Sequence, residues 1–158
     1  MTRTALAAIL SALLATPAAA DDFCAVLKGV VAAAPKGFAE IRGAPDREYP
    51  AAYWRPRPLP GAQAQMPGGS PCFVLHGANM KPSDQYHCDY PGGADRPALL
   101  ETMHGLADKV SACLSPMFSD DNEGLWRLTM DGAMVLVVGD PATAGGGGVV
   151  EIIVEPVK

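Results

Sequence analysis

The chain has 158 residues with 12 basic and 17 acidic side chains, which give a formal net charge of −5. No run or stripe of Lys and Arg interrupts this acidic balance, so nucleic acids and anionic membrane surfaces are not expected partners. The length fits a single domain rather than two.

The first 20 residues have the pattern of a secretory signal peptide. Arg3 precedes an apolar run that reaches Leu14, and small residues at 17–20 form a cleavage site. The run is too short to span a membrane. We therefore expect residues 1–20 to be a signal peptide and residues 21–158 to form one soluble domain, exported to the periplasm or secreted, with a formal charge of −6 once Arg3 is removed.

The first half of this domain predicts one helix followed by four strands. Asp21 or Asp22 is placed to cap the helix, and Pro35 and Gly37 to end it. Its apolar positions fall on one face: Phe23, Val26, Leu27, Val30 and Val31. Residues 38–43 then predict a short strand. Residues 53–59 predict an edge strand or an extended segment and not an interior strand, because prolines at every second position remove backbone donors.

Residues 71–76 and 85–90 predict a hairpin centred near Met80. Strand alternation then turns Tyr86, Cys88 and Tyr90 inward and leaves His87 and Asp89 on the solvent side. In this register Cys72 lies opposite Cys88.

The second half predicts another helix and three strands. The apolar face of the helix repeats over about five turns and consists of Leu99, Met103, Leu106, Val110 and Cys113, flanked by Leu100, Ala107 and Leu114. An acidic loop containing Ser119, Asp120, Asp121 and Glu123 is expected after it. Asp131-Gly132 predicts a type I′ turn between two strands. The four glycines at 145–148 predict a flexible connection to the last strand, 149–157. The expected fold is α+β, an antiparallel sheet of about six to seven strands with two helices on one face, in the order α-β-β-β-β-α-β-β-β.

The even number of cysteines in an exported chain predicts two disulfides formed by Cys24, Cys72, Cys88 and Cys113. Three pairings are open. A bond between Cys72 and Cys88 would join adjacent strands in a tight geometry. We therefore favour Cys24 with Cys72 and Cys88 with Cys113, which would tie each helix to the sheet.

No motif in the chain indicates catalysis, a metal or a cofactor. The three histidines are His76, His87 and His104, and His87-Cys88-Asp89 cannot present all three side chains to one ion from a single strand. Five methionines could suggest a copper site, but their spacing is irregular: Met80, Met103, Met117, Met130 and Met134. Core packing is the ordinary role of methionine, and Trp126 is also expected in the core. The acidic residues at 120–123 are expected to be solvated.

The remaining signal is a surface for recognition. Tyr53, Trp54, Arg55 and Arg57 are residue types that anchor interfaces. We therefore expect an exported, non-catalytic binding protein of the inhibitor, immunity or envelope-accessory type, whose partner is another envelope or exported protein. The alternatives are a protein that binds a small ligand or a metal, and an enzyme whose site assembles from distant residues.

Overall fold

The structure is a computed structural model that describes residues 18–45, 53–56, 65–70, 72–75, 84–116, 118–122, 124–141 and 148–157, with the backbone alone at 18–21, 53–56 and 118–122. In this part of the chain two helices pack on one side of an antiparallel sheet, which confirms the predicted α+β class. None of the helices described is long and apolar enough to cross a membrane.

Helix α1 (Ala18–Ala33) and helix α2 (Arg96–Cys113) have the apolar faces that the sequence predicts. Phe23, Val26 and Leu27 of α1 are buried, as are Leu99 and Met103 of α2. The capping prediction for α1 was wrong, because Asp21 and Asp22 lie within the helix, which is described from Ala18 onward. Helix α2 is capped by Asp95, whose carboxylate accepts a hydrogen bond of 2.9 Å from the Ala98 amide.

Four strands precede α2 and four follow it. They are β1 (Arg42–Pro45), β2 (Tyr53–Pro56), β3 (Phe73–Leu75), β4 (Gln85–Gly93), β5 (Phe118–Asn122), β6 (Leu125–Met130), β7 (Ala133–Asp140) and β8 (Gly148–Pro156). Their spatial order is β1-β2-β3-β4-β8-β7-β6-β5, and every neighbouring pair is antiparallel. The two central strands of the sheet are β4 and β8, which are far apart in the sequence.

The core lies between the helices and the face of the sheet that we call the inner face. Strand alternation turns Tyr86 and Cys88 of β4, Ile152 of β8 and Val135 and Val137 of β7 toward the helices, and all five are fully buried. The inward prediction for Tyr86, Cys88 and Tyr90 is thus confirmed. The predicted hairpin centre near Met80 agrees with the register, in which Phe73 pairs with His87.

Two strand predictions in the first half were wrong. Residues 38–41 form a turn, because Gly37 and Phe38 both adopt left-handed backbone angles and the Arg42 amide donates to the Phe38 carbonyl at 2.8 Å. Strand β1 begins only at Arg42. Strand β2 lies between β1 and β3 and is not at the edge, although it pairs over only two positions with β3.

One strand was missed in the second half. The segment predicted as an acidic loop contains β5, which pairs with β6 so that Asp120 lies opposite Arg127 and Asp121 opposite Trp126. The order is therefore α-β-β-β-β-α-β-β-β-β. Glu123 lies outside the described residues, as do the glycines at 145–147.

The predicted count of two disulfides is confirmed, but the favoured pairing was wrong. Cys24 is bonded to Cys113 and Cys72 to Cys88. The first bond ties α1 to α2, and the second crosses from the residue before β3 to β4. The Cα atoms of Cys72 and Cys88 are 4.4 Å apart, the ordinary spacing of directly opposed residues in an antiparallel ladder. Adjacent strands therefore accommodate this bond without backbone movement.

Candidate binding face

The face of the sheet opposite the helices, which we call the outer face, carries a row of aliphatic side chains on β7 and β8. Leu136, Val138 and Ile153 lie there and are partly exposed, whereas their immediate neighbours Val137 and Ile152 are fully buried on the inner face. Leu136 pairs directly with Ile153, so the row is continuous across the two strands. Both helices contact the inner face, which leaves this surface without a helix in the described part of the chain.

Polar side chains border this row on β4 and β8. Gln85 donates a hydrogen bond from Nε2 to the Glu155 carboxylate, and its Oε1 lies 3.3 Å from Nε2 of His87. His87 Nδ1 contacts the Glu151 carboxylate. The Phe73 ring stacks on the imidazole with centroids 5.2 Å apart and planes 4° from parallel. These contacts form one connected network over three strands, β3, β4 and β8.

Contrary to the sequence-based expectation of a solvent-side position, His87 is only 8% exposed. It does lie on the face opposite Cys88, as alternation predicts. Both of its ring nitrogens face oxygen atoms, Nδ1 the Glu151 carboxylate and Nε2 the Gln85 side chain, so the ring is held from both sides. A histidine engaged in this way positions its neighbours. It is not arranged as a base that activates a nucleophile.

Two carboxylates meet where the network reaches the middle of β4. Asp89 lies directly opposite Glu151 in the register. Burial raises the pKa of the Asp89 carboxyl above its ordinary value; the negative charge of Glu151 raises it further, and His87 acts in the opposite direction. Among the described residues no Lys or Arg forms an ion pair with either carboxylate.

Apart from the outer face, the structure has a concave surface at the start of α2. A cavity of about 330 Å³ adjoins a smaller one of about 150 Å³, and both include Arg96, Leu99 and Pro141 in their walls. The larger volume is at the lower end of the range of small-molecule sites. Its other walls are Leu100, Gly124 and Gly139.

The structure brings together few of the residues that the sequence singled out. His104 is exposed on α2, and its ring contacts the edge of Trp126, which is half-buried against the core. Met103 is in the core as expected, whereas Met134 lies on the outer face. Within the described ranges, no group of three or more His, Cys, Asp and Glu side chains is arranged to hold a metal ion.

Several predicted positions cannot be compared with side-chain geometry. Tyr53, Trp54 and Arg55 are on β2, where the backbone alone is described. Arg57, His76, Met80 and Met117 lie outside the described residues. The surface predicted at 53–57 therefore stays a prediction.

Sequence reasoning missed the outer-face network. Its signal was present in the alternation of Gln85, His87 and Asp89 on one strand and of Glu151 and Glu155 on another. The sequence did not show that β4 pairs with β8, and this pairing is what brings the two sets of side chains together. Comparison of the chain with models of protein families, with curated proteins and with solved structures finds no match.

Proposed function

We propose that this chain is an exported, non-catalytic binding protein of the inhibitor, immunity or envelope-accessory type, which docks a partner protein on its outer face. The main observation behind this proposal is that the helices cover only one face of the sheet. Both helices pack on the inner face, and a continuous aliphatic row lies on the other. An aliphatic row beside a fixed polar network matches the composition of an interface core with specific polar contacts.

Two further features support this proposal. The two disulfides are consistent with an oxidising compartment outside the cytoplasm. The side chains at the centre of the outer face are mutually hydrogen-bonded, so the surface is organised before a partner arrives, and the entropy lost on binding is reduced.

Site-specific photocrosslinking in the producing cell tests this proposal. A photoreactive amino acid is placed at Leu136 on the outer face, at Trp54 on β2, or at the exposed Glu101 of α2. We expect one discrete adduct from position 136 and none from position 101. A discrete adduct from position 54 alone would favour the surface predicted from the sequence. Adducts from position 101 alone, or from no position, would contradict a binding role for the outer face.

The cavity at the start of α2 favours a second candidate function, the binding of a small ligand. Its wall combines the aliphatic Leu99 and Leu100 with Arg96 and two glycines. Native mass spectrometry of the purified protein should then detect a bound small molecule that Leu100→Trp removes and Glu101→Trp retains, since position 101 is exposed. An unliganded mass for the wild-type protein would exclude this function.

A further inference from the structure

The pairing of Asp89 with Glu151 is electrostatically unfavourable for the isolated protein. Side chains directly opposite each other on antiparallel strands have Cβ atoms about 4.5–5.5 Å apart, and like charges at such positions destabilise a sheet. The pair lies on the two central strands, where burial weakens screening by solvent. Burial is the main cause of the raised pKa of Asp89, and the negative charge of Glu151 adds to it.

His87 offsets part of this conflict, because it contacts Glu151 and lowers the pKa of Asp89, but no Lys or Arg among the described residues forms an ion pair with either carboxylate. His87 engages Glu151 through Nδ1, while Glu155 accepts from Gln85 and adds a third carboxylate to the same face. On β7 the residue beside Glu151 is Val138, and the basic Arg127 of β6 is paired with Leu136 on the far side of that strand. The outer face therefore presents carboxylates next to an aliphatic surface.

We propose that the partner places an arginine or lysine side chain against Asp89 and Glu151 and covers Leu136, Val138 and Ile153 with apolar side chains. This inference rests on the proposed function and adds the chemistry of the partner to it. A cation between the two carboxylates turns their repulsion into two attractive contacts. A different protein fits this face better than a second copy of this chain, because the chain is acidic overall and a symmetric contact centred on the pair would oppose carboxylates with carboxylates.

Two tripeptides serve as probes. They are acetyl-Leu-Arg-Leu-amide and its citrulline analogue, which has nearly the same shape without the charge. In titrations of ¹⁵N-labelled protein followed by NMR, the arginine peptide should shift the amide signals of residues 87, 89, 138, 151 and 153. We expect it to bind at least about fivefold more tightly than the citrulline peptide, as one added charge contact of moderate strength allows.

The variant Asp89→Asn separates recognition from structure. It should reduce the preference for arginine by about threefold, and it should raise the midpoint of thermal unfolding by about 2 °C, because it removes a like-charge contact. Asp108→Asn removes the same charge from an exposed position of α2 and should change neither quantity. Equal affinities for the two peptides, no binding at millimolar concentration, or a lower melting midpoint for Asp89→Asn with an unchanged preference would overturn the inference.

The crosslinking and peptide experiments distinguish a failure of the proposed function from a failure of this inference. A photocrosslink from position 136 together with equal peptide affinities would leave the binding face in place and remove the cationic partner group. Arginine-selective binding without any crosslink from position 136 would contradict the docking of a partner protein and leave a site for a cation.

Discussion

At the scale of single residues, two tyrosines on β4 differ in one hydrogen bond. The hydroxyl of Tyr86 interacts with the Met66 backbone, whose amide also donates to Cys72 Sγ at 3.4 Å, whereas the buried Tyr90 hydroxyl has no partner in the described part of the chain. Burial raises the pKa of Tyr90 to about 12. The same change, tyrosine to phenylalanine, should therefore have different consequences at the two positions.

We expect Tyr86→Phe to lower the free energy of unfolding by about 1 kcal/mol, and Tyr90→Phe to leave it unchanged or raise it by up to about 1 kcal/mol, because only the second substitution removes an unsatisfied group. Urea titration followed by fluorescence measures both. Equal losses for the two variants would show that Tyr90 has a partner in the folded protein.

The raised pKa of Asp89 also predicts how stability depends on pH. The folded protein binds the Asp89 proton more tightly than the unfolded chain, in which the pKa of this group is near 3.8. The contribution of this group to stability is therefore present at low pH and is lost as pH rises through the folded-state pKa. The difference in free energy of unfolding between Asp89→Asn and the wild type should grow as pH increases from about 4 toward neutrality. Parallel curves for the two proteins would contradict this assignment, and Asp108→Asn provides the control.

At the scale of elements, α2 sits close to the sheet because glycines allow the approach. A Cβ atom at Gly92 would lie 2.4 Å from Cδ1 of Leu99 and 2.7 Å from the backbone of Gly148. At Gly105, on the exposed side of α2, a Cβ atom would meet nothing within 4 Å. These two glycines therefore have opposite roles.

We predict that Gly92→Ala lowers the free energy of unfolding by about 1–3 kcal/mol through overpacking. Gly105→Ala should raise it by about 0.5–1 kcal/mol, because alanine favours the helix. Chemical denaturation compares them directly. A neutral Gly92→Ala would mean that α2 is not seated against β4 and β8 as described.

The disulfides differ in the length of chain that they close. Cys24 and Cys113 are 89 residues apart, and Cys72 and Cys88 are 16 apart. In the chain-entropy account these separations correspond to about 4–5 and about 3 kcal/mol of stabilisation, so replacing the first pair by alanine should cost more than replacing the second. Urea unfolding of the two double variants measures the difference.

Non-reducing peptide maps should also link Cys24 with Cys113, and a link between Cys24 and Cys72 would contradict the structure.

At this scale the sequence predicted what depends on local pattern. The apolar faces of both helices, the hairpin around Met80 and the position of the Asp131-Gly132 turn follow from spacing and turn chemistry within a few residues. The predicted type I′ geometry was wrong, because Gly132 has a positive φ and Asp131 does not. Strand β5 was missed because the Ser-Asp-Asp-Asn stretch has low strand propensity, which pairing with β6 overrides. The disulfide pairing was wrong because it depends on how α1 packs on α2, and no local pattern specifies that contact.

At the scale of the whole molecule, the candidate site is a product of topology. Asp89 and Glu151 are brought together by β4 and β8, which the second helix and three strands separate in the chain. The sequence pattern identified each residue as a polar position on a strand. It did not show that the two residues are neighbours. Because the helices occupy the inner face, the pairing that builds the core also builds the outer-face network.

The central claim is that the outer face is open to a partner, and methyl NMR with a soluble paramagnetic agent tests it most directly. Leu136, Val138 and Ile153 alternate along their strands with Val137 and Ile152, which gives matched internal controls. We predict strong broadening of the methyl signals of the first three residues and none for the other two. Equal protection of both sets would show that the outer face is covered in the free protein, and would contradict its role as a binding face.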